Sequence, residues 1–419
     1  MLAGLIESHA MPMLYQGNVA VVTGWFERMP KSLLYTSPMI GIARAWSLAL
    51  MERRATDRAA IEQALQAAEE ALKRVNAPET LRNLIAGHAA SIHAFSIDAR
   101  VLLNGNPEQL IAIAQQAQRL LPEAETAIRS VNAMIIGNGY ARLGDLPAAE
   151  RAFQQTFADG VAGLNYYAAI YGPINLILIA LIKGALSAAL ELCEANIDRF
   201  NRLLAGQRFP PIGALSVLKG CVLLEQSRLA EAEQELTQGL SLLQWTGEFR
   251  THLKGYTALA RLRGILGDWS GAMENLRLLE AARPEGALYA QALRQRLAVR
   301  DPAGSNLSLE EARLWLSHAA IRFDALPDLT GVDPITETLL RTHLSVAHIV
   351  ARLAARNPRA YALADVQRYL ARQETIAQAH DLAGWLIEIW LARALIDRLE
   401  GSAESALGRL QLALGAAAA

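Results

Sequence analysis

A turn recurs along this chain at intervals of about forty residues, and that period constrains the fold more than any other feature. Gly105, Gly144, Gly184, Ser227 and Gly267 stand 39, 40, 43 and 40 residues apart, and Gly401 repeats the pattern near the end. Two positions after each anchor lies Pro107, Leu146, Leu186, Leu229, Trp269 or Ala403. Five positions after it lies Leu110, Ala149, Ala189, Ala232, Ala272 or Ala406. Nine positions after it lies Ala114, Phe153, Cys193, Leu236, Leu276 or Leu410. Offsets five and nine differ by four, so they share one face of a helix. A small residue at offset five lets a partner helix approach closely. Glycine at the anchor ends the preceding helix in the left-handed conformation. Runs such as 130–143 and 256–266 are long enough for that preceding helix. Two helices per repeat, with no period-two pattern, predict an all-α fold. The expected architecture is an α-solenoid, a tetratricopeptide-like (TPR-like) right-handed superhelix of antiparallel helix pairs, with roughly sixteen to twenty helices.

The remaining sequence fits this array less cleanly. Residues 45–72 read as helical, with 54–57 as a degenerate turn, and 301–308 read as a loop before a helix over 309–320. The clearest break is DALPDLTGVDP at 324–334. The chain is therefore read as one array over 1–419 with a soft boundary near 324–334. Trp25, Trp46, Trp269, Trp385 and Trp390 are expected in the core.

Composition narrows the classes of function. With 52% hydrophobic residues the chain is not intrinsically disordered. A formal net charge of −1 argues against a nucleic-acid surface on this chain. Two cysteines, Cys193 and Cys221, make no disulfide framework. The most apolar run, INLILIALI at 174–182, is nine residues, against the ~20 that a membrane span needs. The first fourteen residues lack a basic stretch and carry Glu7, unlike a signal peptide. A cytoplasmic protein without a membrane partner is expected.

No catalytic or metal motif stands out. His88 and His93, like His343 and His348, are five apart, which turns the second imidazole off the first one's helix face. Gly137-Asn138-Gly139 follows no strand, so it does not read as a dinucleotide loop. No catalytic residues, metal or cofactor are expected, and the chain is not read as an enzyme. The segment NYYAAIYGPIN at 165–175 is more suggestive. Tyr167, Tyr171 and Asn175 recur every four residues on a first helix, although Pro173 can kink the path. First helices of such solenoids line the concave side, where flat rings with polar tips suit a sugar, nucleoside or peptide. The same logic adds His93, Asn132, Arg208 and Tyr256. Packing between repeats is the competing reading of all these positions.

The opening GNVAVVTGWFERMPKSLLYTSPMIGIARAWSLAL carries Gly17, Trp25, Met29-Pro30, Leu33-Leu34, Pro38 and Ala45-Trp46 in that order. It resembles the start of the helical-repeat sensor region of MalT-type, large ATP-binding LuxR-family transcriptional regulators, with Met29 in place of the usual Leu. The stretches at 105–122, 143–153, 225–236 and 306–316 resemble repeats of the same region. The resemblance implies a domain that senses a small-molecule inducer or a regulatory protein in its concave groove. It also implies homo-oligomers formed through attached modules. No Gly-Lys pair occurs, so the family's nucleotide-binding module is not expected within these residues, and its DNA-binding module is expected to follow Ala419 after a linker. The alternative is a stand-alone protein-interaction scaffold that takes no small ligand.

Overall fold

The fold was analysed in a computed structural model, which describes residues 2–51, 57–100, 106–243, 249–282, 286–300 and 306–418. All regular structure among the described residues is helical. The chain divides into two compact units, Met1–Asn175 and Leu176–Ala419. The first holds α1 (Leu2–Tyr15), α2 (Val19–Arg28), α3 (Pro38–Met51), α4 (Asp57–Arg74), α5 (Glu79–Arg100), α6 (Pro107–Leu120), α7 (Thr126–Arg142), α8 (Leu146–Ala162) and α9 (Tyr166–Ala169). Helix α10 (Tyr171–Ile182) runs across the division. The second unit continues with α11 (Leu186–Leu204), α12 (Gly213–Glu225), α13 (Leu229–Leu243), α14 (Phe249–Ile265), α15 (Trp269–Ala282) and α16 (Ala287–Ala298). It ends with α17 (Asn306–Ala319), α18 (Pro334–Ala354), α19 (Leu363–Ala379), α20 (Ala383–Leu399) and α21 (Ala403–Ala418). The break expected at 324–334 is a non-helical link as far as Asp333, between α17 and α18 and inside the second unit, and Pro334 already opens α18.

The repeat anchors fall where the period places them. Gly144, Gly184, Gly267 and Gly401 all have positive φ, between 76° and 83°. At Gly144 the Asp145 amide reaches back to the Tyr140 carbonyl at 3.0 Å, closing α7 with a six-residue bond. The Asp145 carboxylate then accepts from the Ala148 amide at 3.0 Å and caps α8. One Gly-Asp pair thus ends one helix and starts the next. Gly267-Asp268 repeats the device, with Asp268 accepting from Gly271. The turns expected at Gly105 and at residues 54–56 lie outside the described residues, as do residues 301–305 of the expected loop.

Ser227 holds the anchor position with φ 60°, a conformation that costs a residue with a Cβ about 1–2 kcal/mol. Ser227→Gly is therefore expected to stabilise the second unit by about 1 kcal/mol. Urea denaturation reads this directly, and an unchanged or lower midpoint would show that the serine side chain offsets the backbone strain.

The small residues at offset five are all buried. Ala149, Ala189, Ala232 and Ala272 have no exposed surface, and Leu110 and Ala406 are buried as well. The pairs α7–α8, α12–α13 and α20–α21 pack along their lengths. The apolar run 174–182 becomes most of α10, with Ile174, Ile177, Leu178, Ile179 and Ile182 buried, so its hydrophobicity serves the protein interior. Pro173 breaks the helix that starts at Tyr166. Its ring conflicts with the carbonyl four residues earlier, that of Ala169, and the chain divides at Ile170 into α9 and α10. Trp46, Trp385 and Trp390 are buried, while Trp25 and Trp269 pack half-buried against core clusters.

Candidate functional site

In the first unit the residues singled out from sequence do not form one open surface. Tyr167 lies on α9, with its ring against the turn between α1 and α2. A Cβ added to Gly17, which has φ 80°, would lie 2.2 Å from that ring. Tyr167 is half-buried, and burial raises its phenol pKa. Tyr171 is half-buried against the same core. Asn175 departs from expectation: it is buried, and its amide donates back to the Tyr171 carbonyl at 2.8 Å. A side chain spent on its own helix one turn earlier is not offered to a ligand.

Asn132 is likewise not on a groove surface. It is fully buried, and its Nδ2 donates at 2.9 Å to the Ser91 hydroxyl on α5. Nearby on α5, His88 Nδ1 accepts from Trp46 Nε1 at 3.2 Å, and burial lowers the His88 pKa to about 4. These bonds tie α3 to α5 and α5 to α7, consistent with packing between repeats. His93 remains partly exposed, with Nδ1 3.6 Å from a Glu62 carboxylate oxygen on α4. In the second unit Arg208 is exposed on the link after α11, and Tyr256 packs half-buried on the core around α14 and α15.

The second unit holds a different and denser arrangement. Its first helices α12, α14, α16, α18 and α20 lie side by side in chain order. Polar and charged side chains recur on them at helical spacing: Lys254 and Arg261 on α14, Tyr289 and Arg296 on α16, and Glu337, Arg341 and His348 on α18. Glu225 ends α12, and Glu388 lies on α20. Lys254 Nζ donates to both Glu337 carboxylate oxygens at 2.7 and 2.6 Å, and Arg341 Nε donates to one of them at 3.0 Å. Arg261 Nη1 donates to Glu225 at 2.8 Å. Arg296 Nη2 stands 3.6 Å from Glu388.

These contacts reveal the curvature of the layer. Lys254 and Glu337 sit on α14 and α18, with α16 between them, and Arg296 and Glu388 sit on α16 and α20, with α18 between them. In a flat layer, helices two apart would be separated by about 16–20 Å. Side chains that meet across that interval converge on the inside of a tight bend. The bend also returns on itself. A Cβ on Gly384, at the start of α20, would lie 2.7 Å from the Leu181 carbonyl oxygen and 2.9 Å from that of Ile182, at the end of α10. The first-helix layer of this unit therefore encloses its own inner face.

Enclosure and mutual charge set the electrostatics there. Burial alone would raise the Glu337 carboxyl, which is only 4% exposed, but Lys254 and Arg341 outweigh it and hold the pKa at about 2. Glu388 is held at about 2 in the same way, against burial, by Arg296, Arg261 and Arg341. His348 is pushed down to about 3 by burial and the arginines around it, so it is neutral. The two thiols are not nucleophiles at neutral pH: burial pushes Cys193 up to about 12 and Cys221 to about 11. Among the described residues the arrangement presents charged donors and acceptors on one face.

Sequence reasoning missed this layer because isolated Lys, Arg and Glu on an amphipathic helix read as solvated surface. The available signal was positional. The charges stand on first helices, where the equivalent α10 is apolar on most faces.

The family model described as the MalT-like TPR region matches residues 87–419. This chain belongs to that family. The MalT-like chain also aligns with curated proteins named HTH-type transcriptional regulator MalT. The one from Yersinia enterocolitica is 26% identical over 244 residues, covering 58% of this chain and 26% of that protein. The one from Vibrio campbellii is 26% identical over 262 residues, covering 62% of this chain and 27% of that protein. The MalT-like chain thus spans about a quarter of the length of these relatives. The crystal structure of the apo form of RapI aligns over 99% of this chain and 97% of its own, with a TM-score of 0.42 and 9% identity. Among the described residues, no helix is long and apolar enough to cross a membrane.

Proposed function

We propose that this chain is the effector-sensing region of a MalT-like, LuxR-family transcriptional regulator. It takes up a small polar inducer, or a segment of a regulatory protein, on the inner face of its first helices. The observation that carries this reading is the enclosed charge layer of the second unit. Seven ionised side chains from five helices converge there, from Glu337, 4% exposed, to the exposed Glu225 at the rim. Burying charges costs more than packing apolar residues of the same size would, so stability alone does not favour such a layer. A binding role does. The chain performs no chemistry of its own in this reading, works in the cytoplasm, and leaves DNA contact to another module.

An effector bound there touches several helices that are far apart in sequence. It therefore favours one curvature of the layer over others, and attached modules respond to that choice. Couplings of this kind are typically ~1–3 kcal/mol, enough for 5–150-fold control. The test is a thermal-denaturation screen of this chain against sugars, nucleosides, amino-acid derivatives and organic acids. A compound at ~100 times its dissociation constant is expected to add about 2.7 kcal/mol to the unit that binds it, seen as a shift of one transition. If no compound class moves either transition, the sensing reading falls and the chain is a protein-interaction scaffold.

A further inference from the structure

The charges of the inner layer do not cancel. Lys254, Arg261, Arg296 and Arg341 outnumber Glu225, Glu337 and Glu388 by one, and Arg300 and Arg352 add positive charge around the neutral His348. The hydrogen bonds are also unevenly shared. Glu337 is saturated by Lys254 and Arg341, and Glu225 is held by Arg261. Glu388 lies within electrostatic reach of Arg296, Arg261 and Arg341, yet it comes no closer than 3.6 Å to any guanidinium nitrogen among the described residues. Among the described residues Arg341 donates to Glu337 through Nε, and its side chain stays 29% exposed. Arg296 has Glu388 at 3.6 Å as its ion-pair contact, beyond hydrogen-bond distance.

A guanidinium enclosed by protein and not hydrogen-bonded to it is costly, and a planar oxyanion is its natural complement. Arg296 and Arg341 keep 18% and 29% of their side-chain surface exposed, so they are enclosed but reachable. For Arg296 burial outweighs the attraction of Glu388 and lowers its pKa, the sign of a cation short of partners. Tyr289, buried on α16 two turns before Arg296, carries its phenol within electrostatic reach of Arg341, Arg261 and Arg296. Trp385, one turn before Glu388 on α20, has a buried Nε1–H without an acceptor.

We propose that the interior of the second unit binds a small hydroxylated oxyanion, with Arg296 and Arg341 donating to its charged oxygens and Glu388 accepting from its hydroxyl. The shared chemistry is that of a hydroxy acid or a phosphate monoester. The planar carboxylate, which matches the guanidinium fork, favours the hydroxy acid. This assignment rests on the sensing reading above and narrows its ligand class.

The probes are glycerate, acetate, glycerol 3-phosphate, inorganic phosphate and uncharged glycerol, each added to the full chain at constant ionic strength. Calorimetric titration and thermal denaturation read binding. Glycerate is expected to bind more tightly than acetate, glycerol 3-phosphate more tightly than phosphate, and glycerate more tightly than the phosphate ester. Glycerol is expected to be silent. Arg296→Gln combined with Glu388→Gln removes one charge of each sign and should weaken glycerate roughly tenfold or more, the value of a charge-assisted hydrogen bond. Glu388→Gln alone should abolish the preference for glycerate over acetate. Equal binding of glycerate by the wild type and the double variant would overturn the proposal, as would silence of all the anions. Should the double variant not fold, phenylglyoxal labelling of the wild type replaces it. Glycerate should protect Arg296 and Arg341 from modification while exposed Arg322 labels unchanged, and equal labelling of all three would overturn the assignment. An uncharged effector that binds regardless of these substitutions would keep the sensing reading and overturn the anion site. A phosphate ester that outranks glycerate would overturn the choice of a hydroxy acid.

Discussion

Glu337→Gln is expected to destabilise the second unit by about 3–5 kcal/mol, the cost of removing one partner from a buried ion pair. The carboxylate is 4% exposed and is held by Lys254 through both oxygens and by Arg341 through one. Glutamine keeps the volume and one acceptor but leaves two enclosed cations facing a neutral amide. Chemical denaturation followed by far-UV circular dichroism measures the loss. A change within ~0.5 kcal/mol, as for an ordinary surface substitution, would show that the three groups are solvated and the inner layer is open.

The same group predicts the pH dependence. Its folded pKa of about 2 lies below the ordinary 4.5. The stabilisation it provides is therefore complete above pH ~4.5 and is lost as pH falls towards 2. A carboxyl displaced that far contributes on the order of 3 kcal/mol, and Glu388 behaves in the same direction. Acid should unfold the wild-type second unit across that window. Glu337→Gln should start less stable at neutral pH and lose less on acidification. Parallel acid profiles for the two proteins would contradict the assignment.

The second large effect is expected at Gly384. Within a helix, Gly→Ala ordinarily stabilises by ~1 kcal/mol. Here the new methyl would lie 2.7 Å from the Leu181 carbonyl oxygen and 2.9 Å from that of Ile182, and both are backbone atoms that cannot turn aside. The helix start must move away, and overpacking of this kind costs ~1–3 kcal/mol, which reverses the sign of the ordinary effect. The movement would also part the two ends of the first-helix layer. Gly384→Ala should therefore lower the denaturation midpoint and weaken anion binding together. A midpoint at or above that of the wild type would mean that α20 does not close on α10.

Much of this fold is legible in the sequence because its information is local. A left-handed residue, a cap three positions before an amide and a small residue against a partner helix are all set by neighbours within ten residues. That is why Gly144, Asp145 and Ala149 identify a complete turn and a helix face, and why the period then multiplies one repeat into an array. Pro173 is legible for the same reason, since its effect reaches only to Ala169. The candidate site was less legible. Tyr167, Tyr171 and Asn175 have the spacing of one helix face, but which face is turned inward depends on what packs against it. Gly17 comes from a turn some 150 residues earlier and receives the Tyr167 ring, and Asn175 is buried on its own backbone.

By itself, the sequence determined the helical class, the repeat period, the turn geometry and the buried small residues of each pair, because these depend on short-range stereochemistry and on the alternation of apolar faces. The tertiary structure alone decided the division at residues 175 and 176, and which charged residues meet. Lys254 and Glu337 are 83 positions apart and on helices separated by a third, yet their atoms are 2.6 Å apart. No local pattern encodes that meeting. It follows from curvature, the sum of small angles set at each successive helix packing, and the sign and exposure of the inner face exist only once those angles have accumulated.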